Sequence, residues 1–219
     1  MAKMTIVALA LLAVCVASLA EQEQPIPRID GAKILMVIAS RRFRDEELIH
    51  PRELFLKQGA LVKVASSSLK EAEGMLGAKF KPEVLITDVK PEDFDAIVFV
   101  GGAGAAEYWD SRVAHTLAKK AFEQKRIVAA ICVAPVTLAR AGLLKERKAT
   151  VWKSEAPQLE KAGAMYTAAP VQVDGRIITA DGPKSAKLFA AAVVTAIEKN
   201  KKPDGGDLES QDGQQERSD

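Results

Sequence analysis

Short runs of consecutive apolar residues alternate along this chain with segments of helical periodicity. Lys33-Ile34-Leu35-Met36-Val37-Ile38-Ala39, Asp95-Ala96-Ile97-Val98-Phe99-Val100 and Ile127-Val128-Ala129-Ala130-Ile131 are such runs, and Leu61 to Ala65 is read as a further strand. A strand that is apolar at nearly every position has both faces covered, as in a parallel sheet lying between helices. Helical spacing is read over Asp45 to Gln58, with Gly59 just past its end, and over Asp110 to Gln124, with Asp110 or Ser111 as N-cap. Shorter helices are expected from about Ala134 to Ala141 and from Glu155 to Ala162, the latter stopped by Gly163. Lys184 to Lys199 is expected to close the domain as a helix. Glu83 to Asp88 and Ala149 to Lys153 are read as further strands, and Val171 to Thr179 as a hairpin turning at Asp174-Gly175. The expected fold is α/β, with a mostly parallel central sheet and helices on both faces.

The ends of the chain do not share this alternation. Met1-Ala2-Lys3 carries one positive charge, Thr5 to Ala17 is almost wholly apolar, and Ser18-Leu19-Ala20 precedes polar Glu21-Gln22-Glu23-Gln24. That layout is a secretory signal peptide over residues 1–20, cut after Ala20 and pointing to export, periplasmic or secreted. The apolar run is shorter than the roughly 20 residues a membrane span requires. Residues 21–30, with Pro25 and Pro27, read as a linker, residues 31–200 as the domain, and residues 201–219 as a disordered polar tail. The 219 residues carry a net charge of +2 with both signs interspersed, which gives no footprint for nucleic acid or for an anionic membrane. Removing the leader removes Cys15 and leaves Cys132 as the single thiol, so no internal disulfide can form.

Three motifs carry chemistry. In Val128-Ala129-Ala130-Ile131-Cys132-Val133-Ala134-Pro135 a buried strand runs straight into a helix, with small residues, Ala130 and Ala134, two positions either side of Cys132. This has the logic of a nucleophile elbow with cysteine in place of serine. The helix start is expected to lower the thiol pKa. Gly101-Gly102-Ala103-Gly104 also follows a strand, where glycine lets the backbone aim N–H groups at developing negative charge. Phe43-Arg44-Asp45-Glu46-Glu47-Leu48-Ile49-His50-Pro51 places acidic residues at a helix start, where they can complement the dipole or serve the site.

Together these motifs resemble the DJ-1/PfpI superfamily of class I glutamine-amidotransferase-like proteins. The likeness covers Lys33 to Lys199 and extends to Ala141-Gly142-Leu143-Leu144, Val173-Asp174-Gly175 and Gly182-Pro183. It implies a flavodoxin-like three-layer sandwich and a homodimer. It implies that Cys132 is the nucleophile and that Glu47 is the protonated carboxyl beside it. The backbone N–H groups of Gly102 and Val133 would form an oxyanion-like site. Trp152 stands where other members carry histidine or tyrosine and is a candidate pocket wall. Val133 replaces the histidine that the protease-like branch places after its cysteine, and Asp181 replaces an arginine of another branch. The chain has only two histidines, His50 and His115; His115 reads as a surface residue, whereas His50 could face the pocket or a partner subunit.

The function expected from this pattern is cofactor-free, cysteine-dependent chemistry on small reactive carbonyls, glyoxalase- or deglycase-like, with no metal. Two alternatives belong to other classes: an oxidative-stress sensor or protective binding protein working through Cys132 oxidation, and, ranked last, a peptidase.

Overall fold

The computed structural model describes residues 25–201. The leader expected at 1–20 and the tail beyond Lys201 lie outside the described residues. In chain order the elements are β1 (Lys33–Val37), β2 (Arg41–Phe43), α1 (Asp45–Lys57), β3 (Leu61–Ser66), β4 (Ala72–Gly74), β5 (Lys79–Phe80), β6 (Val84–Leu85) and β7 (Ala96–Phe99). They continue with α2 (Arg112–Glu123), β8 (Ile127–Ile131), α3 (Pro135–Arg140), β9 (Lys148–Ala149), α4 (Ala156–Lys161), β10 (Met165–Tyr166), β11 (Val171–Asp174), β12 (Ile177–Ala180) and α5 (Ala186–Lys201).

Seven strands form the central sheet in the order β11-β12-β8-β7-β1-β3-β6. Every pairing is parallel except the β11–β12 hairpin. Register follows the apolar runs: Met36 lies between Val64 and Val98, and Ala129 between Val98 and Ile178. Successive side chains of one strand enter two separate cores, as strand geometry requires. Ile34, Met36 and Val98 pack with Leu48 and Phe55 of α1 and with Phe189 and Val193 of α5. Leu35, Val37, Ile97 and Phe99 pack on the other face with Leu117 and Ala121 of α2 and Leu138 of α3. Each fully buried side chain of this size contributes about 1.5–3 kcal/mol. The chain therefore has the three-layer, flavodoxin-like α/β architecture.

Two local readings change. Of Glu83 to Asp88, only Val84–Leu85 pairs, against Ala65 and Ser66, before the chain turns into a single 3-10 turn. Ala149 to Lys153 does not run as a strand. Only Lys148–Ala149 pairs, with Met165–Tyr166, and the Trp152 N–H is diverted to the carbonyl of Cys132. The glycine-rich stretch around Gly74 and Gly77 is a β4–β5 hairpin that joins β2 in a small three-stranded sheet beside the main one. Ser111, not Asp110, caps α2, accepting from the Ala114 N–H at 3.3 Å.

Candidate active site

The C-terminal ends of β1, β7, β8 and β12 meet at one edge of the sheet, where ligands bind in folds of this kind. Cys132 sits there, between β8 and α3, with φ of +62°. A β-carbon is strained in that region, and the surroundings hold it in place. The Cys132 N–H donates to the Ala180 carbonyl at 2.9 Å, and its own carbonyl accepts from Trp152 N–H at 2.8 Å. Ala130 and Ala134 are both buried against the turn.

Glu47 reaches this thiol from the first turn of α1 and is fully buried. Its Oε2 accepts from the Gly101 N–H at 3.0 Å. A β-carbon on Gly101 would lie 2.5 Å from Cβ of Cys132 and 2.6 Å from Oε2 of Glu47, so the glycine is wedged between the two side chains. Oε1 of Glu47 makes no regular hydrogen bond, and the carboxyl interacts with the Cys132 thiol. Oε1 is therefore the oxygen left free to carry a proton. Pro51, one turn further along α1, has no N–H to give the Glu47 carbonyl.

Burial raises the Glu47 pKa to about 8, against the pull of the thiol, the Gly101 N–H and Arg44. The carboxyl therefore keeps its proton at neutral pH. Burial also pushes the Cys132 thiol up, to about 12, reinforced by the charge of an ionised Glu47 and opposed by the N–H groups of Gly102 and Val133. This corrects the expectation of a lowered thiol pKa. α3 is only six residues long and Cys132 is buried, so desolvation outweighs the field of the helix start. When Glu47 is protonated its charge no longer opposes the thiolate, and its O–H can donate to sulfur instead.

The structure brings the expected residues together. Cys132, Gly102, Val133 and Trp152 line one pocket of about 420 Å³, with Glu47 beneath it. Gly102 has φ of +95°, and a β-carbon there would strike the backbone of β2 and Arg44, so only glycine fits. Lining residues not singled out from the sequence include Arg44, Met75, Trp109 and Glu155. Arg44 is paired with Glu46 at 2.8 Å. Met75 is held over the pocket because buried Asp45 accepts from Leu76 N–H at 2.9 Å and from Ala78 N–H at 2.8 Å. Trp109 donates from Nε1 to the Val133 carbonyl at 3.0 Å. The Tyr108-Trp109 aromatic pair just after the Gly-Gly loop was the available signal for that wall.

Neither histidine lines this pocket. His50 does not reach it, and His115 Nε2 lies 2.8 Å from the Trp109 carbonyl, partly buried and not free at the surface. Among the described residues no group of His, Cys, Asp and Glu could hold a metal ion, and no helix is long and apolar enough to cross a membrane.

Comparison with known proteins agrees with this architecture. The model of the DJ-1/PfpI family matches residues 32–196. An uncharacterised protein of Methanocaldococcus jannaschii is 48% identical over 173 residues, covering 78% of this chain and 84% of the relative. A deglycase of Pyrococcus horikoshii is 33% identical over 158 residues, 72% of this chain and 93% of its own. A glutathione-independent glyoxalase of Caenorhabditis elegans is 28% identical over 164 residues, 75% and 88% of the two chains. The crystal structure of a ThiJ/PfpI domain protein from Brachyspira murdochii superposes with a TM-score of 0.76 at 34% identity, covering 78% of this chain and 99% of that one. A cysteine elbow on a flavodoxin-like sheet, backed by a buried carboxyl, defines the class. The chain belongs to the DJ-1/PfpI family.

Proposed function

We propose that this protein is a cysteine-dependent, cofactor-free enzyme acting on small reactive carbonyls, of the glyoxalase or deglycase kind. The observation that carries the reading is the buried contact of Glu47 and Cys132 around Gly101. Sulfur adds to an aldehyde carbon, the C=O electron pair moves to oxygen, and a hemithioacetal forms. Glu47 takes the thiol proton on one carboxyl oxygen and gives a proton to the new oxyanion from the other, so the addition is proton-neutral. The N–H groups of Gly102 and Val133, which already act on the sulfur, are placed to hold that oxyanion. Relatives named deglycase and glyoxalase support the same reading.

The experiment is methylglyoxal turnover by the wild type and by Cys132→Ser. Turnover lost in the variant is expected. Equal rates, or no turnover by the wild type across pH and temperature, would sink the proposal.

The same geometry favours a second reading, in which Cys132 is oxidised to a sulfinate held by the Glu47 O–H and the two N–H groups. Mass spectrometry after mild peroxide separates the two: a sulfinate at Cys132 is expected, and modification confined to disulfide-linked dimers counts against it. A peptidase needs an imidazole at the sulfur, and no histidine lines the pocket. Export through the leader and a homodimeric state complete the proposal. N-terminal sequencing of the mature chain and sedimentation equilibrium test them.

A further inference from the structure

Two charged side chains line the Cys132 pocket, Arg44 and Glu155. The Arg44 guanidinium is already met by Glu46 at 2.8 Å. Glu155 has no cation within ion-pair distance among the described residues. Its Oε1 accepts from Ser154 Oγ at 2.8 Å and its Oε2 from Gln158 Nε2. Gln158 is in turn fixed by Arg140, whose charge is taken by Asp110 and whose guanidinium lies 5.3 Å over the Trp109 ring. The carboxylate is thus held by neutral donors and has no cation paired with it among the described residues. Lys153 and Lys184 line not this pocket but the adjoining groove of about 920 Å³, which shares Arg44, Trp152 and Pro183 with it. Trp109 and Trp152 supply aromatic surface beside Glu155, and an aromatic face next to a carboxylate favours organic cations.

We infer that Glu155 makes the pocket selective for carbonyl compounds that bear an ammonium or guanidinium group, with Trp109 and Trp152 as its walls. Anionic carbonyls such as glyoxylate are disfavoured by the same carboxylate. This names the substrate class for the carbonyl reading and rests on it, although the charge preference itself can be measured without turnover.

The first measurement is the rate at which Cys132 is labelled by cationic trimethylammonioethyl and by anionic sulfonatoethyl methanethiosulfonate. Each rate is normalised to the same reagent on free mercaptoethanol, and the site is located by mass spectrometry. The wild type favours the cationic reagent, Glu155→Gln lowers the ratio by about threefold or more, and Glu155→Lys inverts it. The second needs no thiol reactivity. The chain has two tryptophans, and both line this pocket, so intrinsic emission reports on it. Butylguanidinium changes the emission saturably and butyrate does not, and Glu155→Gln weakens the guanidinium response about fivefold. A labelling ratio indifferent to both substitutions, or equal responses to the two titrants, overturns the inference. Charge selectivity with no methylglyoxal turnover would sink the enzyme reading alone. Turnover without charge selectivity would sink this inference alone.

Discussion

The Gly101 N–H donates to Oε2 of Glu47 at 3.0 Å, and nothing larger than glycine fits at that donor. A methyl group there presses on the Cys132 β-carbon, on Oε2 and on the Ile131 carbonyl at once. All three atoms belong to buried residues. Gly101→Ala is expected to cost about 1–3 kcal/mol of stability and to abolish turnover by spreading the thiol and the carboxyl. Urea unfolding together with methylglyoxal kinetics checks this. A variant as stable and as active as the wild type would show that the wedge does not position the pair.

Glu47 makes stability depend on pH with a definite sign. Its ordinary value is 4.5 and its folded value about 8. Between the two, the folded state holds a proton that the unfolded chain has lost. Stability from this group is therefore complete below pH 4.5 and falls as pH rises through 8, by up to about 1.4 kcal/mol per pH unit. Glu47→Gln, which cannot ionise, flattens the slope. Unfolding midpoints at several pH values in that window, for both proteins, provide the check. Parallel slopes would mean that Glu47 does not carry the buried proton.

Cys132 occupies a conformation that glycine adopts without strain. Cys132→Gly is therefore expected to be more stable than Cys132→Ala by about 1 kcal/mol, although it packs fewer atoms. Both are inactive. Thermal or urea unfolding of the two variants decides it, and the reverse order would place the strain elsewhere.

Asp45 ties the β4–β5 turn to the start of α1 through two backbone N–H groups. Asp45→Ala leaves both donors without their partner, at about 1–3 kcal/mol. Hydrogen exchange at Leu76 and Ala78 is expected to accelerate with little change in the central strands. Unaltered exchange at those two amides would remove Asp45 from its role in holding Met75 over the pocket.

The features legible in the sequence were those carried by local pattern. The runs at Lys33, Asp95 and Ile127 announce buried parallel strands because both faces are apolar, and the abrupt change at Cys132 announces the elbow. The juxtaposition of Glu47 with Cys132 came from family likeness, since 85 residues separate them and no periodicity links them. Trp109, Glu155 and the Asp45 tether were missed for the same reason: each acts through a tertiary contact. The thiol pKa was misjudged because a helix start is visible in sequence, whereas the burial that opposes it is not. The Ala149 to Lys153 strand failed where tertiary pairing overrode β-propensity, the Trp152 N–H being taken by Cys132.

The backbone of Cys132 is bonded on one side to Ala180 and on the other to Trp152. Both partners emerge from the ribosome after the cysteine, and closing such distant contacts is the slow part of folding. The elbow therefore cannot lock until β12 is in place, almost at the end of the domain. During synthesis the thiol exists without its carboxyl-backed, N–H-lined surroundings. The pocket around Cys132 is thus a late product of folding, and a chain shortened before Ala180 would carry the thiol without the site.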